Sequence, residues 1–170
     1  MTGDRGLLAA IGVTLTLVAG CAPVPDRGSG PVFAVGDCVA VPVANAPAAR
    51  IVRADKVTCD TDPSYTVGAV ASVGAECPSS EYQHLSASLA DPATARLCLV
   101  PNLITDHCYE MGMPVGVVEL ADCGTRGKGV LVRVTQRVDV RDGSVCPAAP
   151  GEFAWPYPSP ARTYCTRTVY

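Results

Sequence analysis

The residues of this chain best equipped for chemistry are its nine cysteines, at positions 21, 38, 59, 77, 98, 108, 123, 146 and 165. A thiolate is a nucleophile and a metal ligand, whereas paired thiols in an oxidising compartment become cross-links. No Cys-x-x-Cys occurs, so neither a thioredoxin-type pair nor a zinc ribbon is available, and no metal is expected. The two histidines are His84 and His107. His84 falls beside Leu85, and His107 stands between Asp106 and Cys108; both are expected as surface or half-buried side chains rather than bases or ligands. There is no Gly-x-Ser-x-Gly elbow, His-Glu-x-x-His, phosphate loop or dinucleotide fingerprint. The five glutamates form no recognisable carboxylate pair. No catalytic residue and no cofactor are expected. A hydrolase whose site is not legible in the sequence is the alternative.

Two groups of side chains suit binding better. Phe153, Trp155 and Tyr157 alternate in the Pro-rich stretch 153–158, read as an irregular loop. Three aromatics there would stack on sugar rings or grip a protein, unless Trp155 simply fills a small core. Arg133, Arg137 and Arg141 recur at even spacing along the stretch Leu131 to Arg141. In a strand they share one face, opposite Val132, Val134, Val138 and Val140. That face, which also carries Asp139, would meet an acidic polymer or simply water.

The elements that position these residues begin with the N-terminus. Arg5 and the free amine precede an uncharged run, Leu7 to Val18, which closes on Ala19-Gly20-Cys21. A positive start, a dozen apolar residues and small residues before a cut define a secretory signal. The run is too short to span a membrane, which takes about 20 apolar residues. Leu17-Val18-Ala19-Gly20-Cys21 resembles the lipobox of bacterial lipoproteins. That resemblance implies a diacylglyceryl group on the Cys21 thiol, cleavage before Cys21 and acylation of the new amine. Several acyl chains on one residue anchor firmly, where a single chain binds marginally. Residues 1–20 are thus a signal peptide and 21–33 a lipidated tether, in which Pro23, Pro25, Gly28, Gly30 and Pro31 oppose regular structure. The expected location is the extracytoplasmic face of the cell membrane. Signal removal takes away Asp4 and Arg5 and leaves the net charge at -3; no nucleic acid partner is expected of a mildly acidic body.

Setting Cys21 aside leaves eight cysteines, an even set in an exported chain. They fall into two similar quartets. Cys38, Cys59, Cys77-Pro78 and Ala95-Arg96-Leu97-Cys98 are followed by Cys108, Cys123, Cys146-Pro147 and Ala161-Arg162-Thr163-Tyr164-Cys165. Two tandem units, 34–102 and 103–170, are expected. Eight cysteines allow 105 pairings, but if both copies close alike only three patterns survive. First-to-second and third-to-fourth is the favoured one: Cys38–Cys59, Cys77–Cys98, Cys108–Cys123 and Cys146–Cys165.

Gly36 to Val41 and Arg50 to Cys59 are expected to form a hairpin, followed by strands at Tyr65 to Val70 and Leu97 to Val100. Tyr82, Leu85 and Leu89 stand at helical spacing within Ser79 to Ala90, between a Ser79 cap and the Pro92 stop, so a helix is expected there. In the second unit Met113 to Leu120 and Val130 to Val140 read as strands, and prolines 147, 150, 156, 158 and 160 replace the helix with an irregular loop. The fold class is α+β, dominated by strands: two tandem disulfide-stapled units, the first with one helix.

Gly36-Asp37-Cys38, Val57-Thr58-Cys59, Leu97 to Asn102, His107-Cys108-Tyr109 and Tyr157 to Cys165 make the mature chain similar to the LppU-type lipoproteins of actinobacteria. The Gly-Asp-Cys opening and its spacing to Cys59 also resemble the extracytoplasmic septum-formation-type domain, although Asp62-Pro63-Ser64 stands where that domain often has Pro-His. The resemblance implies a cell-envelope lipoprotein, membrane-bound through Cys21, without catalytic residues to carry over. An envelope protein or a cell-wall glycan is the expected partner.

Overall fold

A computed structural model describes residues 32–42, 51–111, 118–125, 127 and 129–169. The signal peptide, Cys21 and the tether as far as residue 31 lie outside the described residues. Within them the protein is built of strands: β1 (Cys38–Ala40), β2 (Asp55–Lys56), β3 (Ser64–Val70), β4 (Leu97–Asn102), β5 (Cys108–Met111), β6 (Val118–Ala121), β7 (Val130–Val138), β8 (Glu152–Pro158) and β9 (Ala161–Thr168). They form two antiparallel sheets, ordered β2-β1-β3-β4 and β6-β5-β7-β9-β8. The only helical pieces among the described residues are 3-10 turns at Thr94–Arg96 and Gly143–Val145.

Among the described residues the fold is therefore all-β, which corrects the α+β expectation. The segment Ser79 to Ala90 is not a helix. Gln83 exchanges two backbone hydrogen bonds with Leu99 on β4, and Val52 donates to the Leu89 carbonyl while Asp91 donates back to Val52. The segment thus closes the open edge of β4, and those backbone groups are spent on strands rather than on their own turns. Of the expected apolar stripe, Tyr82 is buried whereas Leu89 is 44% exposed.

In the second half, of the stretch read as a strand from Met113 to Leu120, Val118 to Leu120 lie in strand β6, paired with β5, and residues 112–117 lie outside the described residues. The supposed irregular loop at 153–158 is strand β8. Its prolines are tolerated because β8 is an edge strand, where a missing N–H costs no ladder bond.

The two sheets repeat one another residue by residue. Cys38 and Val39 face Thr66 and Tyr65; Cys108 and Tyr109 face Arg133 and Val132. Ala69 and Val70 face Cys98 and Leu97; Gln136 and Arg137 face Cys165 and Tyr164. Each sheet has an irregularity at the matching place, between Val67 and Ala69 and between Val134 and Gln136. The entry turns match too. Gly36 donates to the Val67 carbonyl and Asp106 to that of Val134, at positive φ of 92° and 70°. The disulfides are Cys38–Cys59, Cys77–Cys98, Cys108–Cys123 and Cys146–Cys165, the same four pairs that the repeat suggests. Strand β8 has only a reduced counterpart in the first half, the antiparallel bridge Gln83–Leu99, which stands where Phe153 pairs with Thr166.

One apolar core runs through both sheets. Val39, Tyr65, Val67, Leu97 and Leu99 join Tyr109, Val132, Val134, Tyr157 and Tyr164 in a single buried cluster. Gly68, in the bulge of β3, marks a close approach of the halves. A Cβ there would lie 2.2 Å from the Ser159 carbonyl oxygen in the β8–β9 turn and 2.4 Å from Tyr82 Cε1. Its counterpart in the second half is Thr135, since no such turn crosses that bulge.

Candidate functional site

Strand β9 carries the residue that shapes the junction between the halves. The β8–β9 turn places Arg162 opposite Tyr157, and the side chain is only 6% exposed. Its Nη1 donates to the Asn102 Oδ1 at 2.8 Å and to the Tyr164 hydroxyl at 3.1 Å. Asn102, the last residue of β4, is held in turn: its Oδ1 accepts from the Thr66 hydroxyl at 2.5 Å, and its Nδ2 donates to Ser64 Oγ at 3.0 Å. The Tyr164 hydroxyl also accepts from the Leu103 backbone N–H. Arg162 thereby ties the second sheet to the last strand of the first and to the segment that joins them.

What Arg162 lacks is a counter-ion. None of the ion pairs among the described residues includes it, and its Nε is buried without a hydrogen-bond partner. A guanidinium stays charged at any accessible pH, and a buried charge is costly unless it is paired. The residue lines a cleft of about 370 Å³ at the seam, with Arg137, Thr61, Asn102 and Ile104 among the other walls. The Cys38–Cys59 disulfide, Leu103 and Pro160 supply apolar surface there.

Beside the cleft, Asp62 bridges the halves. It accepts from the Tyr109 hydroxyl at 2.9 Å and meets His107 Nδ1 at 2.8 Å. Burial, and then the neighbouring Asp62, push the Tyr109 phenol well above its ordinary value. The Asp–His pair resembles half of a triad, yet among the described residues no hydroxyl or thiol is hydrogen-bonded to His107. It works here as a structural clamp.

The groups singled out from sequence are divided by the fold. The irregularity at Thr135 reverses strand parity, so Arg133 pairs with Arg167 on one face while Arg137 pairs with Tyr164 on the other. Arg133 is bound to Asp106 at 2.7 Å, Arg137 to Asp139 at 3.1 Å and Arg141 to Glu81 at 2.9 Å. A shared arginine face is therefore corrected: Arg137 lines the seam cleft, Arg141 pairs across the halves with Glu81, and Arg133 is paired within the second half. Phe153, Trp155 and Tyr157 do share a face, because they lie in a strand. Tyr157 is buried in T-shaped contact with Tyr164, Trp155 packs on the core and donates to Thr166, and Phe153 alone is largely exposed. Of the centre of the seam, Arg162 was legible only as a member of the repeated Ala-Arg motif and Asn102 only as the end of the stretch Leu97 to Asn102 that carries the family resemblance. In register the first half has Ala95 at the place of Arg162, an asymmetry that marks the residue.

The chain matches no family model, no curated protein and no solved structure.

Proposed function

We propose that this chain is a cell-envelope lipoprotein of the LppU type, anchored through lipid on Cys21, whose body is a non-catalytic binding module for an envelope protein or a cell-wall glycan. The anchor rests on the apolar run closing at Ala19-Gly20-Cys21 and on the even, oxidised set that remains once Cys21 is set aside. The binding role rests on one observation above others: a buried guanidinium without a counter-ion opens onto a cleft where the two halves meet. A site built to bind can leave one charge waiting for its partner, whereas a purely structural arginine would be paired. Catalysis has no support of this kind, since His107 is engaged by Asp62 and has no nucleophile bonded to it among the described residues.

The anchor is tested by Cys21→Ala in cells that make the protein. Release of the variant from the membrane fraction into the medium is expected; unchanged retention would overturn the assignment. The binding role is tested by crosslinking in living cells, with captured partners and no turnover of envelope polymers as the expected result.

A further inference from the structure

We propose that the seam cleft binds a carboxylate ligand with a small apolar body, the carboxylate pairing with Arg162. This rests on the reading of the body as a binding module and narrows it to a ligand class. The charge requirement comes first. Arg162 is 6% exposed and has no acidic partner among the described residues, so the site carries an uncompensated positive charge. Its Nη1 is occupied by Asn102 and Tyr164, which fix the plane of the guanidinium. Its Nη2 has no hydrogen-bond partner among the described residues, and Nε is buried without one. A guanidinium fixed through Nη1, with Nη2 unpartnered, can offer a carboxylate a charge-assisted hydrogen bond.

The other walls argue for a single negative charge. Arg137, at the rim, is already engaged through Nε and Nη2 by Asp139 Oδ1, so it adds to the field without offering a second free cation. A dianion such as phosphate would be left half-neutralised. The disulfide Cys38–Cys59, Leu103, Ile104 and Pro160 provide apolar contact for what the carboxylate is attached to. The volume, about 370 Å³, lies in the range of small-ligand sites. The cleft is built from both halves, so only the joined molecule presents it.

The test uses the full-length oxidised protein in detergent, with N-acetylalanine as probe, its amide as the uncharged control and inorganic phosphate as the competing anion, followed by amide and arginine side-chain NMR. N-acetylalanine is expected to give saturable shifts at Leu103, Ile104 and the Arg162 Nε–H, with a Kd on the order of 1 mM for so small a ligand. The amide is expected to give none. R162Q should abolish the shifts, and R137E, an exposed rim change, should weaken binding about fivefold by charge reversal. If R162Q does not retain the native spectrum, R137E decides. Equal shifts from acid and amide, tighter binding of phosphate, or no saturable shift from the acid would each overturn the proposal. Partners captured in living cells by a protein that ignores N-acetylalanine would remove this inference and leave the binding-module reading standing.

Discussion

Single residues at the junction do more than their number suggests. Asn102 is oriented by four neighbours, and Asp62 receives a tyrosine and a histidine from the other half. Replacing Asp62 by Ala leaves the Tyr109 O–H without an acceptor, while its oxygen still accepts from the Ile104 N–H; the loss should cost about 1 kcal/mol, read as a lower urea midpoint. Gly68→Ala should cost a similar amount through overpacking, about 1–3 kcal/mol, because its Cβ meets the backbone carbonyl of Ser159 rather than a flexible side chain. Thr135→Ala, at the matching position, adds no Cβ and gives up only the hydrogen bond from Thr135 Oγ1 to the Cys165 carbonyl, so it should cost about 0.5–1.5 kcal/mol. The chemistry of these residues was visible in the sequence, but their burial was not. Arg162 appears there as one member of a repeated Ala-Arg pair, and only the cross-strand register shows that the first half has Ala95 in its place.

At the scale of elements, the quartets of cysteines were the most legible feature, because a covalent pattern repeated twice restricts its own pairing. The strands at Tyr65 to Val70 and Val130 to Val140 were legible for the usual reason, a high density of β-branched residues. What failed was local pattern where tertiary contacts overrule it. The Tyr82, Leu85 and Leu89 spacing suits a helix, yet the open edge of β4 claims the backbone of Gln83. Prolines suggested a loop at 153–158, yet an edge strand accepts them. The arginine stripe failed because one inserted residue reverses parity, which no count of even spacing detects. The disulfides staple these elements. Replacing Cys77 and Cys98 together by Ala should lower stability by roughly 3 kcal/mol in the chain-entropy account, measurable by urea denaturation with the other three bridges intact.

For the whole molecule, the two halves share a core and the seam polar network, so neither should fold alone. Chains ending at residue 102 or starting at residue 103 are expected to lack native near-ultraviolet dichroism, and a native signal from either would contradict the shared core. The buried tyrosines set the alkaline limit. Burial raises the phenols of Tyr65, Tyr109 and Tyr157 above their ordinary value. The folded chain keeps them neutral where the unfolded chain ionises them, so their contribution is complete below about pH 10 and is lost as pH rises beyond it. Urea midpoints at pH 8 and near pH 11, on disulfide-intact protein, should show that fall. The proposed binding role rests on the cleft at the seam, where Arg162 has no counter-ion among the described residues. The most direct measurement is photo-crosslinking in living cells from two positions, Ile104 in the cleft wall and Val73, which is 86% exposed. Adducts from Ile104 that R137E suppresses, with none from Val73, are the result this account predicts. Adducts equal at both positions, or none from Ile104, would contradict it.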